Sequence, residues 1–516
     1  MRLPDGDFTR HLAVFMEPKF SPSPDQFSEH AKSGNLIPVW VELAADYMTP
    51  LAAYQNVREG GNSFLFESAE MTEHAGRFSF LGSNPKAILT GNGKAVTILQ
   101  DGHEEVREVE DPLAEVEGYM AQFNPAEVEG APPFFGGAVG YLSYDMVRFF
   151  EPTIGTPPPD ELGLPDMVFL IADTAIIFDH KFRKLMVVAN AFTDDHSNAA
   201  EAYAAAQEKI RKLVAQLEEP LPVKLLPAFS EAGAISAIPK SNTTREEYEK
   251  MVDDAKEFIR AGDIFQVVPS QRFEVNYTGA PVDLYRALRH VNPSPYMFCL
   301  EFDSGFSLVG SSPEVHVRSI EGKVEIRPIA GTRRRGKDQA EDDALADELL
   351  ADPKERAEHI MLVDLARNDV GRIAEYKSVE VTEFMVIERY SHVMHITSNV
   401  VGKLAGGRSA YDVMRATFPA GTVSGSPKVR AMQIINDFEK SKRCAYSGAV
   451  GYFGFDGNLD SCIALRTCVL KDGKAYVQAG AGVVADSVPA SEYEETVNKA
   501  SGMVRAIEGA QRAAEQ

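Results

Sequence analysis

The chain contains only four cysteines, Cys299, Cys444, Cys462 and Cys468, among its 516 residues. No two of them show the CxxC spacing of a zinc or redox motif, and each lies among apolar or small residues. This pattern argues against a disulfide-rich secreted scaffold. It predicts four buried free thiols in a protein of a reducing compartment, and therefore a cytoplasmic location.

Long apolar runs are also absent from the sequence. The N-terminal segment offers only a short run from Leu12 to Met16, and neighbouring charges exclude the apolar core of a secretory signal. No other run approaches the ~18 apolar residues that a membrane-spanning helix needs. We therefore expect a soluble protein with no membrane partner.

The chain has fewer basic residues than acidic ones. Its 52 Lys and Arg and 76 Asp and Glu give a net charge of −24 at pH 7. This charge would repel a polyanion, so no nucleic-acid partner is expected. A small anionic substrate is not excluded, because a few local arginines decide whether such a substrate binds.

The remaining composition is that of a globular protein with a substantial core, with 44% hydrophobic and 25% charged residues. The length favours two domains or one large composite fold. Strand and helix patterns are mixed, and runs of consecutive strands, including expected hairpins over 307–327 and 449–477, favour the α+β class. The predicted divisions are an N-terminal arm over 1–25, a first domain over 26–225, a linker near 220–243 and a second domain over 244–510.

One stretch, Pro353 to Gly371, combines ionisable side chains with a helical apolar pattern. Pro353 suits the first position of a helix, and helical spacing then places Glu355, Glu358 and His359 on the face that also carries leucines. Burying two carboxylates beside leucines is costly unless a cation or a hydrogen-bond donor meets them. The stretch therefore predicts a site for a hard divalent cation, with an exposed amphipathic helix as the alternative.

A second helical pattern, Ser491 to Ile507, repeats this arrangement with Glu492, Glu495 and Lys499 on one face. Two helices that each offer inward carboxylates can hold Mg²⁺ with few protein ligands. Such a site leaves coordination positions for water and for substrate oxygens.

Several loops have a composition that suits an anion. The basic stretch Arg327 to Gly336 would attract a carboxylate, although a solvated basic loop is the alternative. The segment Gly421 to Lys428 could close its backbone N–H groups over an anion or simply start a helix. The glycines of Gln478 to Ser487 would let a ligand approach the backbone, and Arg466 interrupts an apolar strand where a charge needs a partner.

In chain order, the segments PIAGT, EHIMLVDLARND, SHVMH, GTVSGSPK and GAGVVADS resemble the motifs of the chorismate-utilising enzymes, most closely those of the anthranilate synthase component I group. The segments FLFESAE, GRFSFLGSNP and FFGGAVGYLSYD extend the resemblance over the first half of the chain. The resemblance implies an α+β fold of stacked β-sheets flanked by outer helices. It also implies a regulatory role for residues 26–225 and chorismate binding by residues 244–510.

Two positions distinguish the branches of this group. Relatives that add water to chorismate carry a lysine where this chain has Gln266, and relatives that make 4-amino-4-deoxychorismate carry a lysine where it has Ala330. The resemblance therefore implies a lyase of tryptophan biosynthesis that converts chorismate and ammonia to anthranilate and pyruvate. The alternatives are an aminodeoxychorismate synthase component I and a catalytically silent amino-acid sensor.

The resemblance also implies roles for individual residues. It assigns Mg²⁺ binding to Glu358 and Glu495, protonation of the departing C4 hydroxyl to Glu314, and pyruvate elimination to His395, while the Thr422 hydroxyl matches the anthranilate branch. Glu355, His359 and Lys428 are expected only to support the site. The residues expected to bind chorismate are Gly331, Thr332, Tyr446, Arg466, Gly480, Ala481, Gly482 and Lys499.

Ammonia requires a source, and no GxCxG-type nucleophile elbow occurs in the chain. The resemblance therefore implies a separate glutamine amidotransferase subunit, which ammonium salts would replace poorly. It further implies inhibition by tryptophan at Ser68, Pro295, Tyr296 and Met297, with a plain strand edge at FLFES as the alternative. Phe66 stands where a leucine is usual in this group.

Overall fold

The computed structural model describes residues 19–59, 61–68, 76–221, 235–390 and 393–514. Residues 1–18 of the predicted arm and 222–234 of the predicted linker lie outside the described residues, as do the first two residues of SHVMH.

Helices are distributed along the whole described chain. They are α1 (Pro24–His30), α2 (Pro50–Val57), α3 (Pro112–Met120), α4 (Val147–Phe150), α5 (Ala199–Leu217), α6 (Arg245–Arg260), α7 (Pro281–Val291), α8 (Gln339–Ala351), α9 (Pro353–Gly371), α10 (Ala410–Thr417), α11 (Lys428–Phe438) and α12 (Pro489–Ala514). Short 3₁₀ helices cover Tyr144–Met146, Pro152–Ile154, Thr193–Asp195 and Gly421–Val423.

The strands of the first half are β1 (Leu36–Ala44), β2 (Ser63–Glu67), β3 (Phe78–Ser83), β4 (Ala87–Asn92), β5 (Ala95–Gln100), β6 (His103–Glu108), β7 (Gly137–Leu142), β8 (Met167–Ala172), β9 (Thr174–Asp179), β10 (Lys184–Phe192) and β11 (Lys240–Ser241). Those of the second half are β12 (Gln266–Val267), β13 (Ser270–Asn276), β14 (Tyr296–Phe302), β15 (Phe306–Ser312), β16 (Val315–Ile320), β17 (Lys323–Ile326), β18 (Ile329–Arg334), β19 (Glu380–Arg389), β20 (Val393–Lys403), β21 (Gly425–Ser426), β22 (Ala449–Gly454), β23 (Leu459–Ile463), β24 (Thr467–Lys471) and β25 (Lys474–Gly480).

The two helices with inward carboxylates form as the sequence predicts. Helix α9 begins at Pro353, and the side chain of Asp352 caps it by accepting hydrogen bonds from the backbone N–H groups of Lys354 at 2.9 Å and Glu355 at 3.3 Å. Helix α12 spans Pro489–Ala514 and so contains the predicted stretch. The local signal at the start of α9 is strong, which is why the sequence locates that start.

Two large sheets organise the molecule, and their named strands pair antiparallel. The first sheet runs β1-β10-β9-β3-β2-β14-β15-β24-β25-β13-β11, and the second runs β18-β20-β17-β16-β23-β22-β7-β8-β4-β5-β6, with β19 added on β20. The mixture of helices with large antiparallel sheets confirms the predicted α+β class.

One hydrophobic core fills the space between the two sheets. Phe302 and Phe306 of the first sheet contact Tyr141 of the second, with ring centroids 5.9 and 6.0 Å apart. The other face of the first sheet packs on helices, because side chains alternate along a strand. Along β14, Phe298 belongs to the core between the sheets, whereas its neighbour Cys299 belongs to the core beneath the helices.

Both sheets take strands from both halves of the sequence. In the first sheet β2 pairs with β14, and in the second β7 pairs with β22. The halves therefore share their sheets and their cores, and the division near residues 220–243 stays a prediction about the sequence alone.

Both predicted hairpin regions are correct only in part. Strand β16 pairs with β17, β22 with β23 and β24 with β25, but in each region the chain also crosses between the two sheets. Over 307–327 the expected hairpin begins with β15, but β15 pairs with β14 and β24 in the first sheet, while β16 pairs with β17 and β23 in the second. The chain crosses between the sheets at Pro313 and Glu314. A period of two residues defines a strand but not its partner, so the sequence missed this crossing.

The four cysteines are free and buried, as predicted. Within the described ranges, no helix combines the length and apolar character needed to cross a membrane.

Candidate active site

The site lies where the two sheets exchange strands. The chain leaves the first sheet at Glu314, between β15 and β16, and returns to it at Arg466, between β23 and β24. Because β15 pairs with β24 and β16 pairs with β23, these two crossings lie side by side. The resulting gap between the sheets opens a cavity with an empty volume of about 1130 Å³.

This cavity, here called the front cavity, brings together most of the predicted site residues. Helices α9 and α12 close it on one side and the loop after β25 on another. The predicted residues that line it are Glu314, Glu358, Thr422, Tyr446, Arg466, Gly480, Gly482, Glu495 and Lys499. The front cavity is therefore the candidate active site.

Among the carboxyl groups of the front cavity, Glu314 shows the clearest change in pKa. Burial raises its pKa to about 7, against an opposing hydrogen bond with Thr422 and the charges of Lys499 and Arg466. A carboxyl group with this pKa is partly protonated near neutral pH. Glu314 can therefore donate a proton to a group bound in the front cavity.

Three carboxylates converge from the two helices. The pKa of Glu358 on α9 is raised by burial and by the charges of Glu355 and Glu495, and that of Glu492 on α12 is raised by burial and by Glu495. Lys499 offsets part of this repulsion, since its Nζ lies 2.7 Å from a carboxylate oxygen of Glu495 and donates to the Gly480 carbonyl at 3.1 Å.

This donor set fits a hard cation such as Mg²⁺, because a positive charge between clustered carboxylates relieves their mutual repulsion. Glu492 is buried, whereas the Glu495 side chain is 46% exposed and can reach a cation together with solvent. Across the described part of the chain, no group of three or more His, Cys, Asp or Glu side chains is already arranged as a metal cage. A cation held by Glu358 and Glu495 would thus take its remaining ligands from water and substrate.

Arg466 adopts a left-handed backbone conformation with φ of 45°, and its carbonyl accepts a hydrogen bond from the N–H of Ser311 at 3.2 Å. This conformation turns the chain from β23 into β24 and directs the guanidinium towards the cavity that it lines. The guanidinium lies 3.5 Å from Asn292 Oδ1. Arg466, the charged residue that interrupts the apolar pattern, therefore lies where the chain crosses from β23 to β24.

A tight backbone approach holds the GTVSGSPK loop at the mouth of the front cavity. Strand β12 pairs Gln266 with Ser426 and Val267 with Gly425. Gly425 has φ of 135°, and a Cβ there would lie 2.2 Å from the Gln266 carbonyl oxygen. Only glycine permits this contact, which keeps the Gln266 side chain in the cavity wall.

Four predicted residues do not line the front cavity. His395 on β20 donates from Nδ1 to the Gly331 carbonyl at 2.8 Å and lies 3.1 Å from the Thr332 hydroxyl, so these three form a separate cluster. Burial and the charge of Arg466 hold the pKa of His395 below its ordinary value. Ala481 is fully buried, and its backbone N–H donates to the Pro269 carbonyl at 3.2 Å.

The supporting residues lie behind the cavity wall. His359 is fully buried, with Nε2 at 2.7 Å from the Ser398 hydroxyl, and Lys428 pairs with Asp369 at 2.7 Å. Glu355 pairs with Arg333 at 3.3 Å.

The arginines of the basic stretch are engaged by the chain's own carboxylates. Arg333 pairs with Glu348, Asp352 and Glu355, and its two neighbours pair with carboxylates of α8. This arrangement disfavours carboxylate binding by these arginines, and the stretch is not a solvated loop either, because Ile329–Arg334 forms β18.

Among the polar residues that line the cavity, sequence reasoning did not single out Lys354 and Gln478 as site residues. Lys354 follows the helix start at Pro353 and Gln478 occupies an inward position near the end of β25. Neither position has a local signal, because only the packing of α9 and β25 around the cavity turns these side chains inward.

A second cavity, of about 550 Å³, contains all four residues predicted to bind tryptophan. Strand β2 pairs with β14 so that Met297 faces Glu67, which brings Ser68 beside Pro295 and Tyr296. The Tyr296 hydroxyl donates to Asp460 at 3.2 Å. Aromatic side chains complete the wall, namely Phe66, Phe78, Phe80 and Tyr452. The apolar, aromatic wall suits a small aromatic ligand.

Comparison with known proteins agrees with this geometry. The sequence model of the chorismate binding enzymes matches residues 61–505. The chain is 47% identical over 475 residues to the anthranilate synthase component 1 of Pseudomonas putida, which covers 92% of this chain and 95% of the relative. It is 47% identical over 483 residues to that of Aquifex aeolicus, covering 93% of this chain and 97% of the relative. The chain belongs to the chorismate binding enzyme family.

Solved structures lead to the same fold. The anthranilate synthase component I of Streptococcus pneumoniae superimposes with a TM-score of 0.73 at 38% identity, covering 90% of this chain and 99% of that one. The menaquinone-specific isochorismate synthase of Escherichia coli superimposes with a TM-score of 0.68 at 17% identity over 92% of this chain and 95% of that one. The second likeness concerns the fold alone.

Proposed function

We propose that this chain is the chorismate-converting subunit of an anthranilate synthase, which makes anthranilate and pyruvate from chorismate and ammonia in the cytoplasm. The observation that carries the proposal is the front cavity, where a carboxyl group with a pKa of about 7 faces Arg466, Lys499 and carboxylates of two helices. The names of the relatives, which share nearly half of their residues with this chain, support it.

Different residues of the front cavity bind different groups of the substrate. Arg466, Lys499 and the backbone beside Gly480 bind the carboxylates of chorismate, because these groups supply positive charge and N–H donors at the cavity wall. Glu358 and Glu495 would hold Mg²⁺, which when bound supplies positive charge against the ring carboxylate.

Glu314 acts as the general acid. Its proton passes to the C4 hydroxyl, which departs as water, while the nitrogen lone pair of ammonia forms the new bond at C2. Gln266 lines the front cavity and Ala330 is buried in β18, so neither position offers a lysine that could compete with ammonia.

His395 assists the loss of pyruvate. Since Nδ1 donates to the Gly331 carbonyl, the neutral ring carries its free lone pair on Nε2, and the lowered pKa favours that neutral ring. An imidazole in this state can accept a proton from the intermediate.

Ammonia comes from a glutamine amidotransferase subunit, and tryptophan inhibits the enzyme at the second cavity. The numbering of the relatives as a component 1 supports a separate partner. The clustering of Ser68, Pro295, Tyr296 and Met297 around an aromatic-lined cavity supports the inhibitor site.

The purified chain, given chorismate, Mg²⁺ and ammonium salt, is expected to produce anthranilate fluorescence that EDTA abolishes. Added amidotransferase and glutamine should replace the ammonium salt. A different aminated product on chromatography would point to an aminodeoxychorismate synthase, and no turnover even with the amidotransferase would favour the silent sensor.

A variant of the second cavity tests the inhibitor site separately. Ser68→Leu adds an apolar side chain to the cavity wall, so tryptophan should bind at least tenfold more weakly by calorimetry while the uninhibited rate stays near that of the wild type. Unchanged tryptophan inhibition in this variant would place the inhibitor elsewhere.

A further inference from the structure

A third cavity lies directly behind Glu314. This rear chamber has an empty volume of about 390 Å³ and shares three lining residues, Glu314, Leu362 and Thr422, with the front cavity. It extends along α9 to Asp369, which lies seven residues beyond Leu362 and therefore about 10 Å further along the helix. Asp369 does not line the front cavity.

Asp369 is a buried carboxylate with one unused oxygen. Its residue is 3% exposed, and Oδ2 pairs with Lys428 Nζ at 2.7 Å, whereas Oδ1 has no hydrogen-bond donor among the described residues. The charges nearest to this carboxylate are those of Lys428 and Arg372. A buried oxygen with this exposure requires a partner, and water is the partner that a polar cavity of this size can supply.

Other polar groups line the chamber. His316 is neutral, because burial lowers its pKa to about 3, and its ring lies 3.4 Å from the Thr417 hydroxyl. Arg327 pairs with Glu383 and Glu388 on β19. The centres of water-sized spheres can occupy about 30 Å³ of the rear chamber. One water needs roughly 10–15 Å³ of such space, so the chamber has room for about two waters beside its polar walls.

We propose that the rear chamber holds water that returns a proton to Glu314 after each turnover, and that Asp369 is the positioning residue that orders this water. The inference rests on the proposed role of Glu314 as the general acid. In that role Glu314 loses its proton to the departing C4 oxygen, and the substrate fills the front cavity. The rear chamber gives the carboxylate contact with water on the side that the substrate does not cover.

The proton count balances without a further reactant. Glu314 gives one proton to the C4 oxygen, which leaves as water with the electrons of the C4–O bond. The nitrogen newly bonded to C2 carries one proton more than the neutral amine and releases it to solvent. One proton from solvent is then relayed through the chamber water to Glu314, which regenerates the water, and no group is oxidised or reduced.

Asp369→Asn tests the proposal, because the amide keeps the shape of the side chain but donates where the carboxylate accepts. We expect kcat at saturating chorismate and ammonium to fall about tenfold, with KM for chorismate within twofold of the wild-type value. The solvent deuterium isotope effect on kcat should rise above the wild-type value, because proton return becomes slower than the other steps.

Asp145→Asn is the matched control. Asp145 is also buried, at 4% exposed, and pairs with Arg148 at 2.9 Å, but it lines neither the front cavity nor the rear chamber. Both variants should lower Tm, since both leave a buried cation without its partner. Only Asp369→Asn should raise the isotope effect, which a merely structural role would not change.

A second variant and a structure complete the test. Ala366 is 4% exposed and lines the rear chamber, so Ala366→Val narrows it and should also lower kcat and raise the isotope effect if Asp369→Asn does not fold. A high-resolution crystal structure should show water within hydrogen-bond distance of Asp369 Oδ1. A dry chamber, or a folded Asp369→Asn variant with wild-type kcat and isotope effect, would overturn the inference.

The outcome is separable from that of the proposed function. If the wild-type chain makes another aminated product, the anthranilate proposal fails, but the isotope test still applies because loss of the C4 hydroxyl is common to both reactions. If the chain does not convert chorismate at all, both proposals fail.

Discussion

The pKa of Glu314 is raised to about 7 because packing around the strand crossing between β15 and β16 shields its carboxyl group from much of the solvent, although the residue itself is half-buried. The residue type follows from the sequence, but this pKa depends on the second sheet that covers it. The same carboxyl group on an exposed loop would be ionised at neutral pH and could not act as an acid.

Glu314→Gln should therefore lower kcat by about 10²-fold or more, with little change in KM for chorismate, because the amide fills the same space but has no acidic proton. Steady-state kinetics with anthranilate fluorescence measures this effect. A kcat within a factor of three of the wild-type value would contradict the assigned role.

The pH dependence has a definite sign. In the proposed mechanism the protonated form of Glu314 is the active one, so kcat should decline as pH rises through about 7. Folding raises this pKa from 4.5 to about 7, so the unfolded chain loses its proton first as pH rises. The free energy of unfolding should therefore be highest below about pH 4.5 and fall until pH reaches about 7. Tm and kcat measured between pH 5 and 9 would test both trends.

At the proposed cation site, removing a carboxylate should increase stability but abolish activation by Mg²⁺. Glu358→Gln removes one of the repelling charges, so Tm in EDTA should rise by roughly 1–2 °C while activation by Mg²⁺ is lost. Asp364→Asn on the same helix is the control, since Asp364 is 62% exposed and pairs with Arg367. Unchanged Mg²⁺ activation in Glu358→Gln would exclude this residue as a ligand.

At the scale of the element, the first turn of α9 determines the position of Glu358, the proposed cation ligand. Asp352 caps this turn and also pairs with Arg333 at 3.1 Å, so the cap fixes the helix start relative to β18. The position of Glu358, one turn further on, depends on that start.

Asp352→Ala should lower stability by about 1 kcal/mol and weaken Mg²⁺ binding several-fold, because the first turn frays. Asp338→Ala is the matched control, since Asp338 caps α8 by accepting from Glu341 N at 2.9 Å but supports no cation ligand. Chemical denaturation and Mg²⁺ titration should show the stability loss in both variants and the weaker binding only in the first. Equal Mg²⁺ affinity in the two would refute the link between the cap and the site.

At the scale of the whole molecule, the halves of the chain depend on each other. Strand β2 lies between β3 and β14, and β7 lies between β8 and β22, so neither half contains a complete sheet. The cores on both faces of the first sheet include residues of both halves.

A fragment of residues 26–225 expressed alone should therefore not fold cooperatively, because it exposes sheet edges and core side chains that the second half covers. Circular dichroism melts should show a sharp transition for the full chain and a broad one or aggregation for the fragment. Co-expression with residues 235–516 is the control, and a cooperative melt of the fragment alone would show an independent domain.

The sequence by itself determined what depends on neighbouring residues. The capped start of α9, the helical spacing of Glu355 and Glu358, and the mixture of strands and helices follow from local preferences and periodicity. The motifs identified the family, and with it the residues whose chemistry the site uses.

Only the tertiary structure decided how the strands pair and which side chains meet. The exchange of strands at Glu314 and Arg466 depends on contacts between distant segments, and a strand's period does not specify its partner. The same contacts turn Lys354 and Gln478 into the front cavity, leave His395 in a separate cluster with Gly331 and Thr332, and shield Glu314 from much of the solvent. Burial and cavity shape arise from packing of the whole chain, which is why the sequence named the reacting groups but could not set their pKa values.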